Sequence, residues 1–307
     1  MNYEIIIQNS LNPDGEIEFQ QLALLAKSMR KIAEGALHLR LNGLSVQKGK
    51  NRHSLDQALR IHLKSIGKGS SVLNVSSKPF RETLTEVQLD LFRQESQDTI
   101  PDHTPVSLFI ETLTTALDEK ASKEYLDKPL LQELTRFKSV FGSEKEVITF
   151  QNQGSLPPLS ITKKSFHSIK VLEDALPEPE RVYLVGQLES LHYTTSKVII
   201  RMENSTIEGI IPDSLDKLEI AGYWGMKVSV YGVQHHRASK KAVVEIEKIS
   251  IADESDSYFG RRIEQLSIEQ QIAEQLLAGK YRNPIALVAG QWPGDESIEE
   301  LIGMIKE

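Results

Sequence analysis

A chain of 307 residues, 39% hydrophobic and 26% charged, has the composition of a globular protein with room for two or three domains. It contains no cysteine, which excludes disulfides, thiolate zinc sites, cysteine-held iron–sulfur clusters and thiol nucleophiles. No apolar run approaches the roughly 20 residues of a membrane span, and a formal net charge of −7 speaks against a dedicated nucleic-acid coat protein.

Tyr3 to Ile7 reads as an opening strand, closed by the turn signal Asn12-Pro13-Asp14-Gly15. Met1 to Gln8 carries no basic n-region and its isoleucine run is too short for a signal core, so a cytoplasmic protein is expected. From Phe19, the positions Leu22, Leu25, Ala26, Met29, Ile32 and Ala33 recur at helical spacing. Leu37 to Leu44 fits either a continuation of that helix or a strand. A second helix is expected from Ser54, with Leu55, Ala58, Leu59, His62 and Ile66 on one side and Gly67 as its stop, followed by a strand from Val72 to Val75. Leu84, Val87, Leu91 and Phe92 form a further helical stripe. Thr104-Pro105 and Asp127 with Pro129 pair a capping side chain with a proline in the first helical turn, and each opens a helix. Val147–Phe150 and Leu159–Ile161 are strand candidates, and Pro177-Glu178-Pro179 is a stiff linker.

After that linker the pattern changes to short alternating strands. Val182, Leu184 and Leu188 mark the first, Val198, Ile200 and Met202 the second, and Ile207–Ile211 the third. A short helix capped by Asp213 or Ser214 and stopped at Gly222 follows. Val228 with Val230, and Val244 with Ile246, mark the last two strands around a polar loop from Gln234 to Lys241. Three strands, a helix and two strands is the element order of an OB-type Greek-key barrel. The expected fold is therefore α+β. A mixed domain covers 1–176, an OB-like or SH3-like five-stranded β-barrel covers 181–252, and a helical C-terminal extension covers 257–307, including an amphipathic helix from Tyr258 to Leu277.

The residues best suited to recognition lie on the barrel. Tyr193 in the first loop, Lys197 and Arg201 on the second strand, and His235, His236, Arg237, Lys240 and Lys241 toward the fourth–fifth loop supply cations for phosphates and flat groups for bases. A second basic stretch, from Lys27 to Lys68, includes Arg30, Lys31, Arg40, Lys48, Lys50, Arg52, Arg60 and Lys64. There is no Walker loop, no Gly-x-Ser-x-Gly elbow and no metal-ligand spacing around His235-His236, so neither a cofactor nor a metal is expected. The carboxyl-terminal segment reads Gly290-Gln-Trp292-Pro-Gly-Asp295-Glu296-Ser-Ile-Glu-Glu300. Together with the barrel it resembles a group of uncharacterised bacterial proteins, a resemblance that implies no activity. The segment alone resembles the partner-binding C-termini of some bacterial antitoxins, which implies that Trp292, Asp295 and Glu296 dock a protein partner. The expectation is a non-enzymatic binding or regulatory protein with no membrane association. It would take single-stranded nucleic acid on the barrel, or alternatively act as a protein-interaction module.

Overall fold

The computed structural model describes residues 1–10, 16–46, 53–67, 71–84, 100–152, 157–192, 196–203, 205–212, 214–239, 242–253 and 256. The expected turn at Asn12–Gly15, the stripe at Val87, Leu91 and Phe92, the helix at Tyr258–Leu277 and the Trp292 segment lie outside the described residues.

β1 (Asn2–Gln8) buries Tyr3, Ile5 and Ile7 on one face, as period-two alternation requires. It is the centre of an antiparallel sheet, flanked by β3 (Ser71–Ser76) and β4 (Val147–Asn152), with β2 (His62–Gly67) and β5 (Leu159–Thr162) at the edges. α1 (Phe19–Asn42) runs on through the segment that alternation left open. Leu37 and Leu41, four residues apart, and Leu39 are all buried, and the helix ends where Gly43 takes φ 78° and donates its N–H to the Leu39 carbonyl at 2.9 Å.

His62 and Ile66 are not helical. The helix α2 (His53–Ala58) stops earlier, and both residues belong to β2. This edge strand carries a β-bulge that sets Leu63 and Ile66 on one face, with His62 opposite Ser76 on the other. Leu63 pairs with Val75 and Ile66 with Leu73, with the register shifting between Leu63 and Ser65, so residues three apart share one sheet face. α3 (Pro105–Leu117) and α4 (Lys128–Arg136) start where their caps predict. Thr104 and Ser107 form a reciprocal capping box, and the Asp127 carboxylate accepts the Leu130 N–H at 3.0 Å. Between β5 and the linker, the residues the sequence left unassigned form α5 (Phe166–Asp174). Its Phe166 stacks on Phe137 at 5.9 Å between ring centroids, and Phe109 meets Phe150 edge-on at 5.0 Å.

A second five-stranded sheet has its own hydrophobic core, of which Leu184, Leu188, Val198, Ile200, Val230 and Ile246 are members. Its strands are β6 (Glu180–His192), β7 (Lys197–Arg201), β8 (Thr206–Ile210), β9 (Lys227–His236) and β10 (Ala242–Ile251). β6 pairs with β7, β7 with β8, β8 in parallel with β10, β10 with β9, and β9 back onto β6, so the pairing closes into a ring. α6 (Lys217–Ala221) lies between β8 and β9, and its cap is Asp216, whose carboxylate accepts the Leu218 N–H at 2.8 Å, in place of the expected Asp213 or Ser214. Gln234, His235 and His236, expected in a loop, extend β9, because Gln234 and His236 continue the inward alternation and pair with Val244 and Ala242. The described residues thus form a mixed α+β fold with two five-stranded sheets. Among the described residues no helix is long and apolar enough to cross a membrane.

Candidate interaction site

The ring meets the α/β part through a small polar joint built around Arg237. The residue after β9 bridges the backbone of Asp127, and the next N–H, of Ala238, donates to the Leu126 carbonyl at 2.8 Å. The Arg237 side chain is only 8% exposed and donates from Nη2 to the Gly43 carbonyl at 3.2 Å, with Glu208 Oε1 at 3.6 Å. On the other side, Asp127 holds the same loop, accepting from the Ser45 N–H at 2.9 Å and the Ser45 hydroxyl at 2.6 Å. Leu44, Ile210 and Val243 form a separate apolar cluster beside these bonds. A Cβ on Gly43 would sit 2.7 Å from the Ile210 side chain, so glycine here serves the close approach as well as the positive φ.

The joint changes the meaning of several residues expected to face a ligand. Arg237 is turned inward. Lys197 has a side chain 14% exposed with Glu208 Oε1 at 3.5 Å, and His235 lies 3.5 Å from Glu245. Glu208 thus stands between two of the cations expected to meet phosphates. His236 lies beside Gln234, its Nε2 3.1 Å from the amide nitrogen. Arg201 alone of the described barrel cations assigned to nucleic acid points to open solvent, with its side chain 55% exposed and contacts to Gln187 at 2.8 Å and Glu189 at 3.5 Å. Tyr193, Lys240 and Lys241 lie outside the described residues, as do Trp292, Asp295 and Glu296.

Sequence reasoning passed over the most exposed aromatic side chain among the described residues of the ring. Trp224 is 69% exposed and donates its indole N–H to the Glu189 carbonyl at 3.0 Å, while Leu218 on α6 and Met226 just before β9 are also exposed. Gln187, whose oxygen accepts from Arg201, donates its own amide to the Gly225 carbonyl at 2.9 Å. A flat indole and a guanidinium are therefore both tied to Glu189, the bulged residue of β6. The available signal was Trp224 itself. It stands between Gly222 and Gly225, just past a helix stop, where no alternating or helical stripe can carry it inward.

One buried constellation invites a catalytic reading and does not support it. The Ser107 hydroxyl lies 3.2 Å from His103 Nδ1, and Glu111 Oε2 lies 3.5 Å from that same nitrogen. A nucleophile relay needs serine and carboxylate on opposite ring nitrogens. Ser107 is moreover 5% exposed and engaged with the Thr104 N–H as the cap of α3. Burial holds the His103 imidazole below its ordinary value of 6.5, with Arg40 adding to the effect and Glu111 and Asp102 opposing it. The unfolded chain then takes up the proton first. The associated stability is complete above about pH 6.5 and is lost as pH falls from there through the lower folded value. Urea denaturation between pH 7 and pH 5 should show that decline, and His103→Gln should flatten it. An unchanged slope in the variant would refute this account of His103.

Among the described residues no group of three His, Asp or Glu side chains is arranged to hold a metal ion. No protein-family model matches the chain, and no curated protein matches it.

Proposed function

We propose that this chain is a non-enzymatic binding protein whose ring is an OB-type barrel, and that it holds a partner protein against the surface around Trp224. The strand connectivity supports the OB assignment: the first three strands run as a meander, a helix follows the third, and the third and fifth are parallel neighbours. In such barrels the second and third strands, with the loop between the fourth and fifth, form the usual ligand surface. Here that end of the ring is engaged by the protein's own Gly43–Ser45 loop through Arg237, Ile210 and Val243. What stays open is the Trp224 surface, and its exposure is the observation that carries the reading. Exposed tryptophan, methionine and arginine are the residue types that concentrate binding energy at protein interfaces.

Single-strand nucleic acid is the second reading, supported by Arg201 beside an indole on which a base can stack. Electrostatics weighs against it. Between residues 180 and 256 acidic side chains outnumber Lys and Arg, and the Glu208 carboxylate stands against both Lys197 and Arg237.

Two measurements separate the readings. An oligothymidylate titration at low salt, followed by anisotropy, should give no binding if the partner is a protein. Binding that weakens steeply with salt and is lost in Trp224→Ala would replace the protein reading with the nucleic-acid one. In parallel, the wild-type chain, Trp224→Ala and the control Val171→Ala, an exposed apolar residue on α5, are used as bait in extracts of the native host. A protein retained by wild type and control and depleted about tenfold or more with Trp224→Ala is the expected result, since truncating a central anchor costs about 1.4 kcal/mol or more. Equal retention by all three would overturn it.

A further inference from the structure

The first sheet has a concave surface of its own, independent of the ring. Its inner face is buried at β1 and β3 but opens at the edge strand β2. There Leu63 and Ile66, which pair with Val75 and Leu73, stay 46% and 47% exposed. Between this edge and α1 lies a cavity of about 490 Å³ with an apolar floor that includes Ile5, Leu73 and Val75 and a wall from Leu25 and Met29. That is the size of a small-molecule cleft, roughly 300–1,000 Å³. Its rim is cationic. Lys27, Arg30 and Arg60 line it together with His62, and no carboxylate is among the lining residues. Arg30 is bonded to Asp56 at 2.8 Å, whereas the Lys27 ammonium and the Arg60 guanidinium have no ionic or hydrogen-bond partner among the described residues.

We infer that this cavity is a binding site for a single-chain anionic amphiphile, a long-chain carboxylate whose alkyl chain lies on the apolar floor and whose head group meets Lys27 and Arg60. The floor offers the chain burial at the usual gain per unit of apolar area, and the rim offers the head charge-assisted hydrogen bonds. Addition of an extended peptide along β2 is the less suitable use of the same surface. The bulge between Leu63 and Ser65 interrupts the edge, and the Lys64 ammonium placed there is bonded to the Asn2 side chain at 2.9 Å.

The test is calorimetric titration of the full chain with dodecanoate below its micelle concentration, with dodecanol as the uncharged comparison. The double variant Lys27→Glu/Arg60→Glu changes exposed side chains and leaves the floor intact. It should weaken dodecanoate by about tenfold or more while dodecanol changes by less than about twofold. Ala26→Phe, which narrows the cavity from α1, should weaken both ligands. Absence of dodecanoate binding to the wild-type chain, or an unchanged dodecanoate affinity in the double variant, overturns the inference.

Discussion

Asp127→Ala is expected to lower the unfolding free energy by about 3 kcal/mol, measured by urea denaturation, the sum of a lost helix cap and of buried donors left without an acceptor. The carboxylate is 2% exposed and serves three donors at once: the Leu130 N–H at the start of α4, and the N–H and hydroxyl of Ser45 in the loop after α1. Asp127→Asn keeps one acceptor oxygen, so its loss should be about half as large. Because the Asp127 backbone also bridges to Arg237, the alanine variant should in addition loosen the joint. Hydrogen exchange at the Ala238 amide, which donates to the Leu126 carbonyl, reads this directly. An alanine variant as stable as the wild type would mean that the loop finds other acceptors and that the joint is not built on this residue.

Gly232→Ala should cost at least as much, about 3 kcal/mol, by forcing apart strands that pair across the ring. A Cβ at this position would lie 2.2 Å from the Glu245 carbonyl oxygen, a backbone atom that cannot rotate away, and 3.0 Å from the Val244 side chain. Gly232 faces Ile246 on β10 and Val182 on β6, just before the register shift in β10. Only a residue without a side chain lets the strands come together there. The expected signature is a lower denaturation midpoint together with loss of protection at Ile246 and its neighbours. A variant within about 0.5 kcal/mol of wild type would show that the ring absorbs the displacement.

These two sites also show what was and was not legible in the amino-acid order. Caps were legible because they act over three residues: Thr104-Pro105 and Asp127 with Pro129 both placed a helix start correctly. The five strands after residue 180 were legible because each alternates locally, as Val198 and Ile200 do in β7. Bulges were not. One at Lys64 breaks the alternation of β2, and one at Glu189 breaks that of β6. The candidate site was least legible, because burial of a cation depends on what the rest of the chain places over it. Nothing near Arg237 in sequence reveals that Gly43 supplies its acceptor, and nothing near Lys197 reveals that Glu208 faces it. Conversely Trp224 stands between two glycines in a short connection, beyond the reach of any alternating or helical stripe, so only its residue type marked it.

The parallel pairing of β8 with β10 has a consequence for how the molecule is made. During synthesis the residues through 236 can emerge, pair and collapse locally, yet the ring stays open between β8 and β9 until the segment 242–251 is available to fill the gap. The Gly43 carbonyl that Arg237 caps lies 194 residues earlier in the chain. So the first sheet and its helices must wait with that loop uncovered while most of the ring is still being added. Contacts of such long sequence separation are the slow ones in folding. The last strand of the ring is therefore a checkpoint: in a chain cut short before residue 242, β8 and β9 would lack the strand that pairs with both, exposing an unpaired strand edge.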